Sequence, residues 1–201
     1  MNRLALEFTQ RQRVEAIAMG ASAGGVEALL TVFGELPSGF SLPIIVVLHM
    51  PEERKSHLAE VFARRVSMPV KEPADKESIN PGTLYFAAPG YHLSVEQDRS
   101  FSFSCEARLH YSRPSIDYLF ESSADTYGSR LLAVLLTGAN HDGANGLAQV
   151  KAHGGLTVVQ DPREARVATM PEAALALHTP DYILPLRGIG RLLAELERIA
   201  C

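Results

Sequence analysis

The stretch VEAIAMGASAGGVEALL, residues 14–30, decides how the rest of the chain is read. It opens as a short apolar run, passes through a turn of glycine and alanine, and continues in a helical pattern. That succession is one strand–turn–helix unit. Ser22 is the one hydroxyl in a turn whose other residues have been kept small. A serine there can cap the following helix, belong to a phosphate-binding loop, or act as a nucleophile.

The same alternation continues outward from this unit. Strands are predicted over residues 15–20, 43–49, 69–72, 83–89, 130–137, 156–160 and 181–185. Several of these runs, PIIVVLH and RLLAVLLT among them, are apolar throughout rather than alternating, which points to strands buried on both faces of a parallel sheet. Helices are predicted over 25–33, 56–65, 115–127, 143–153, 171–177 and 188–200. The segment YHLSVEQDRSFSFSC (91–105) alternates and turns at Gln97–Ser100, the pattern of an antiparallel hairpin. The expected fold class is therefore α/β: one doubly wound, mostly parallel sheet flanked by helices, with an inserted β-hairpin. Residues 1–13 are expected to form an N-terminal extension and 14–201 a single catalytic-type domain.

Composition narrows the function. Hydrophobic residues make up 46% and charged residues 21%, as in an ordinary water-soluble domain. The formal charge is −4 and no basic stripe is present, which argues against nucleic acid as a partner. The longest apolar runs, IIVVL and LLAVLL, are too short to cross a bilayer, and no apolar signal segment opens the chain. Cys105 and Cys201 are read as free thiols of a cytoplasmic protein, and His92, His110, His153 and His178 lack metal-ligand spacing. No metal and no cofactor are expected.

In a doubly wound sheet, ligands bind beyond the carboxyl ends of the strands. Three side chains stand at such ends. Gly20-Ala21-Ser22-Ala23-Gly24 satisfies G-x-S-x-G, the small residues allowing a sharp turn that presents a serine oxygen. His49 ends the second strand just before Pro51, where a neighbouring strand can bring it to Ser22. Asp142 follows the strand LLAVLLT; it can cap the helix beginning at Gly143 or orient a histidine. His141 is a rival base, but its side chain is expected to point away from that of Asp142. Replacement of the middle glycine of a dinucleotide turn by Ser22 argues against a nucleotide site. The order Ser22, His49, Asp142 also differs from the Ser–acid–His order of the α/β-hydrolases.

Five motifs in order, GASAGGVEAL, PIIVVLHMP, RPSIDYLF (113–120), LLTGANHDGANGL and VVQDPREARVATMPEAAL (158–175), resemble the catalytic domain of the CheB family of protein-glutamate methylesterases. The likeness spans roughly residues 14–196. It implies Ser22 as nucleophile, His49 as general base and Asp142 as acid. The activity it implies is hydrolysis of glutamate methyl esters on the cytoplasmic helices of chemoreceptors, with deamidation of receptor glutamines as a second activity. The alternatives are an esterase or amidase with another substrate, and a catalytically silent receptor-binding module.

Departures from the family pattern lie close to the triad. Ala23 stands where threonine is frequent, Ala139 replaces methionine and Asn140 glycine before the aspartate, and Ser112 replaces the histidine of H-R-P-S. The backbone N–H groups of Ala23 and Ala139 are candidates for an oxyanion hole. Gly24, Gly138 and Met170 are candidates for the cleft wall. Only about a dozen residues precede the first strand, too few for the receiver domain usual in the family; either the chain is the catalytic part of a longer protein or it stands alone, and in the second case activity is expected to be constitutive or controlled by a partner protein. Arg113 and Asp117 are expected in surface salt pairs, with receptor contact as the alternative, and KEPADKE (71–77) as a solvated loop.

Overall fold

All six residues of the first strand, β1 (Ala16–Ala21), are buried, as a strand covered on both faces of a parallel sheet requires. A computed structural model of the chain describes residues 13–50 and 57–200. The expected N-terminal extension, apart from Arg13, lies outside the described residues, as do Ser56 and Cys201. After β1 come α1 (Gly25–Phe33), β2 (Ile44–Leu48), α2 (Leu58–Ala63), β3 (Val70–Lys71), β4 (Leu84–Phe86), β5 (His92–Val95) and β6 (Phe101–Ser104). Then follow α3 (Ile116–Tyr127), β7 (Leu131–Leu135), α4 (Ala144–Ala152), β8 (Leu156–Gln160), α5 (Thr169–Leu177), β9 (Tyr182–Leu184) and α6 (Leu186–Ala200).

Seven strands form one sheet in the order β3-β4-β2-β1-β7-β8-β9, every neighbouring pair parallel. β5 and β6 pair antiparallel as a separate hairpin, with Val95 opposite Phe101 at the turn. The doubly wound sheet and inserted hairpin are thus present as the sequence implies. The short strands are trimmed relative to expectation: β3 keeps two residues and β4 three. Two helices begin two residues earlier than their patterns suggest. Thr169 opens α5 and places Pro171 within its first turn, where a missing N–H costs nothing.

Two apolar layers enclose the sheet. On one face Ile17, Met19 and Ala21 of β1 pack with Leu29 and Val32 of α1, Phe62 of α2 and Ile189 and Leu193 of α6. On the other, Ala16 and Ala18 pack with Ile116, Leu119 and Phe120 of α3, Leu147 of α4, Met170 of α5 and Phe101 of the hairpin. The period of two along β1 sorts large side chains to the first face and small ones to the second. α3 can therefore approach the sheet closely. Gly20 continues the small series, and a Cβ there would lie 2.3 Å from Cγ2 of Ile116. Gly143, on the other side of Ile116, would bring a Cβ to 2.6 Å of the same atom. The start of α3 is wedged between the ends of β1 and β7.

From β1 the chain moves outward to β2, β3 and β4, then returns across β1 to β7. The ends of β1 and β7 therefore flank the point where strand order reverses, the usual place for a ligand in such sheets. Gly20→Ala is expected to cost about 1–3 kcal/mol through overpacking against Ile116. Urea denaturation checks this, and an unchanged midpoint would mean that α3 is free to shift.

Candidate active site

The β1–β2 register ends with Ala21 opposite Leu48, so the next residues on the two chains are Ser22 and His49. The His49 N–H donates to the Ala21 carbonyl at 3.0 Å and the Ser22 N–H to the Thr137 carbonyl at 2.9 Å. Backbone pairing alone thus carries Ser22 between His49 and the segment that follows β7. The turn after Ser22 is held by Thr137, whose hydroxyl donates to the Ala23 carbonyl at 2.8 Å and accepts from the Val167 N–H at 2.9 Å. Gln160, at the end of β8, accepts the Thr137 N–H at 2.8 Å. Neither residue is marked by the sequence pattern beyond its place at a strand end.

Ser22 does not cap the helix that follows it. The N-cap of α1 is Gly24, at φ 82°, without a side-chain cap. Among the described residues the Ser22 hydroxyl forms no hydrogen bond at all. Asp142 likewise does not cap α4, whose N-cap is Gly143 without a side-chain cap. It caps a different helix. Its Oδ2 accepts the Ile116 N–H at 2.7 Å and its Oδ1 the Asp117 N–H at 3.1 Å and the Ser115 hydroxyl at 2.7 Å. These are the unpaired amides at the start of α3, where a helix favours a negative charge. The fourth partner is His49, with Nε2 2.8 Å from Asp142 Oδ2.

Asp142 is fully buried and the His49 side chain 10% exposed. Burial pushes the Asp142 carboxyl up, but the hydrogen bond and charge of His49, the Ile116 amide and the Ser115 hydroxyl outweigh it and hold the group below its ordinary value. Asp117 behaves in the opposite way. Expected on the surface, it is 1% exposed, because the stripe Asp117, Phe120, Ala124 and Tyr127 is the buried face of α3. Burial raises its carboxyl, the Gly146 N–H opposes this at 2.7 Å, and the charge of Asp142 adds to the rise. Arg113, half-buried, donates from Nη1 to the carbonyls of Cys105 and Glu106 at 3.0 and 3.1 Å. Lys71 and Glu77, in the loop expected to be solvated, pair at 2.8 Å with Lys71 half-exposed.

The remaining expected site residues divide by position. Ala23 and Ala139 are exposed, and neither N–H has an acceptor among the described residues. The Gly138 N–H is taken by the Val167 carbonyl at 3.1 Å, so Gly138 acts through the side chain it lacks. A Cβ on Gly138 would stand 2.4 Å from Met170 Cε and 3.0 Å from Ser22 Cβ. The fully buried Met170 therefore packs beside Ser22. Gly24 lies under the stem of Arg166. His141 is exposed, on the outside of the turn. His110, Asp117 and Asp142 bring ligand-type atoms within 4.8 Å of one another. Each Asp142 oxygen already accepts two hydrogen bonds, so this group reads as a hydrogen-bond network rather than a cation site. Cys105 is free and exposed, and no described helix is long and apolar enough to cross a membrane.

Comparison with known proteins gives consistent results. The family model for the CheB methylesterase matches residues 17–193. A protein of Leptospira interrogans is 43% identical over 184 residues, covering 92% of this chain and 95% of its own. The protein-glutamate methylesterase/protein-glutamine glutaminase 2 of Methanospirillum hungatei is 38% identical over 192 residues, 96% of this chain and 55% of its own length. The chain thus spans nearly all of the first relative and about half of the second. The crystal structure of the Thermotoga maritima CheB methylesterase catalytic domain matches with a TM-score of 0.86 at 32% identity, over 91% of this chain and 98% of that one.

The two buried acids predict opposite responses to pH. The folded value of Asp142 lies below the unfolded value of about 3.9. Its stabilisation is complete above that pH and is lost as pH falls through the folded value. The folded value of Asp117 lies above the usual range, so its charge costs stability at neutral pH and the cost is relieved as pH falls through that value. Asp142→Asn is expected to lower stability by about 2–4 kcal/mol at neutral pH, with the gap closing below about pH 4. Asp117→Asn should cost less. Urea denaturation at several pH values tests both, and a pH-independent gap for Asp142→Asn would show that folding leaves the proton affinity of Asp142 unchanged.

Proposed function

The chain belongs to the CheB methylesterase family, and on that premise we propose that it is a serine hydrolase that removes methyl esters from glutamate side chains of proteins. Ser22 is the nucleophile, His49 the general base and Asp142 the acid that orients it. The observation that carries this reading is the buried Asp142 carboxylate on His49 Nε2 at 2.8 Å, with a serine that caps no helix at the neighbouring strand end. A buried aspartate on an imidazole fixes the tautomer and stabilises the charged ring formed during reaction.

The chemistry follows from these positions. Asp142 accepts hydrogen bonds only, so Nε2 carries the ring proton and Nδ1 is the basic nitrogen. Ser22 Oγ bonds to the γ-carbonyl carbon while Nδ1 takes its proton, and the carbonyl π pair moves onto oxygen. The Ala23 and Ala139 N–H groups, which have no other acceptor among the described residues, are the donors for that oxyanion. Collapse breaks the bond to methoxy oxygen, which leaves as methanol with the proton from Nδ1. Water then bonds to the acyl carbon as Nδ1 takes its proton, the bond to Ser22 Oγ breaks as that proton passes to Oγ, and the released acid ionises to a glutamate carboxylate. A glutamine amide enters the same sequence with ammonia as the leaving group, the second activity in the name of the Methanospirillum relative. Met170 and Gly138 form the inner wall, leaving room for a carbonyl beside Ser22. The substrates proposed are the methylated cytoplasmic helices of chemoreceptors, on the strength of the family.

Methanol release from methylated chemoreceptor preparations tests the reading. Wild-type protein is expected to release methanol. Ser22→Ala should reduce the rate by about 10⁴–10⁶-fold and Asp142→Asn by about 10⁴-fold, each with the fold retained. Ser22→Ala protein that keeps most of its activity would refute the nucleophile.

A further inference from the structure

The hydroxyl hydrogen-bonded to the second ring nitrogen of His49 belongs to Ser112, not to Ser22. Ser112 Oγ lies 3.4 Å from His49 Nδ1, and Asn140 Nδ2 lies 3.4 Å from Ser112 Oγ. The Asp142 N–H in turn donates to Asn140 Oδ1 at 3.2 Å. With the His49 ring neutral, donor and acceptor capacities fix the direction of every link. Nε2–H donates to Asp142, so Nδ1 of the neutral ring accepts, the Ser112 O–H donates to it, and the Asn140 amide donates to Ser112. The four residues close a circuit that runs from Asn140 through Ser112 and His49 to Asp142, and back through the Asp142 backbone to Asn140. Hydrogen bonds arranged head to tail in this way polarise one another.

Considerable backbone strain goes into placing Ser112. Residues 109–112 form a tight turn closed by reciprocal bonds, Ser112 N–H to the Leu109 carbonyl at 2.8 Å and Leu109 N–H to the Ser112 carbonyl at 3.2 Å. Its two central residues are His110 at φ 48° and Tyr111 at φ 65°. Turns with two such residues in succession favour asparagine and glycine, and ordinary side chains are held there against steric strain. Tyr111 offers no packing in return, being 96% exposed. The turn is held instead by His110 Nε2, 3.3 Å from Asp117 Oδ2, and by Ser112 in the circuit. Strained backbone next to a reactive group is a reason to ask what the strain positions.

We propose that Ser112 is a positioning residue that occupies the accepting nitrogen of His49 in the resting site, so that Ser22 has to replace it before giving up its proton. The inference rests on the triad assigned above. The Asp142 link holds the ring, the Ser112 link holds its basic edge, and Asn140 keeps the Ser112 hydroxyl turned toward His49. Each catalytic event exchanges one hydrogen bond at Nδ1 for another. The resting link is long and correspondingly weak, which lets the exchange occur without rearrangement of the fold.

Labelling of Ser22 by a fluorophosphonate tests this, since it needs no receptor. Ser22 Oγ bonds to phosphorus, fluoride leaves, and the serine proton passes to His49. Removing the competing hydroxyl in Ser112→Ala is expected to raise the labelling rate about two- to threefold, the low end of the net strength of a hydrogen bond. Ser112→Thr, which keeps the hydroxyl, should label at the wild-type rate. A merely structural residue would give a slower rate or none when truncated. An unchanged or slower rate in a Ser112→Ala protein with wild-type melting behaviour would overturn the role of Ser112 alone. Label persisting in Ser22→Ala would overturn the nucleophile, and this inference with it. If Ser112→Ala fails to fold, imidazole nitrogen NMR of the wild-type protein decides the matter. The proposal requires an Nε2–H ring with Nδ1 accepting a hydrogen bond, and an Nδ1–H ring would overturn it.

Discussion

The Asp142 carboxylate is the point on which the rest of the structure depends. It is a buried charge, and a buried charge is tolerable only when donors surround it. Its four donors come from two places: the ring of His49 at the end of β2, and the Ser115 hydroxyl with the Ile116 and Asp117 amides at the start of α3. The carboxylate itself follows β7. One side chain thus ties together two strand ends and a helix that crosses them. That crossing in turn demands the small series Ala16, Ala18 and Gly20 on one face of β1. Core packing and site geometry are the same constraint seen from two sides.

The position of Ser22 follows from the sheet rather than from any contact of its own side chain. Parallel pairing with β2 sets it beside His49, and the Ser22 N–H on Thr137 sets it beside the segment that leads to Asp142. Gly24 takes over the cap position of α1, so the hydroxyl has no structural duty. Thr137 and Gln160 stitch the turn to the neighbouring strand end. A hydroxyl placed in this way is held by backbone on both sides and left free at its oxygen.

The sequence makes part of this legible and hides the rest for a physical reason. Apolar runs reveal the buried strands, and their ends mark Ser22, His49 and Asp142, because strand ends in a parallel sheet are defined by local pattern. What local pattern cannot reveal is which helix Asp142 caps. The adjacent candidate is α4, two residues away, whereas the amides it holds belong to Ile116 and Asp117, 26 and 25 residues earlier. The same crossing of α3 buries Asp117, which charge alone places on the surface. A signal was available there: Asp117 falls in line with Phe120, Ala124 and Tyr127 at helical spacing. Ser112 and Asn140 stand out in the sequence only as departures from the family pattern, since their contact with His49 exists only once a strained turn and two strand ends have come together.

The two neighbouring acids show how one site assigns charge to one of them. Asp142 and Asp117 start from the same intrinsic affinity for protons, and both are buried. Asp142 meets four donors, including an imidazole, while Asp117 meets backbone amides alone, Gly146 foremost, with His110 at 3.3 Å. Burial therefore wins at Asp117 and loses at Asp142. The negative charge of Asp142 widens the separation further by raising its neighbour. As pH falls, Asp117 is the first of the two to take a proton, and the carboxylate that holds His49 keeps its charge through the range in which its neighbour loses it. Environments that push two like groups apart are how a single fold keeps one acid ionised beside another. Here the helix start of α3 does that work, because its amides point at Asp142 and its side chain at position 117 does not share them.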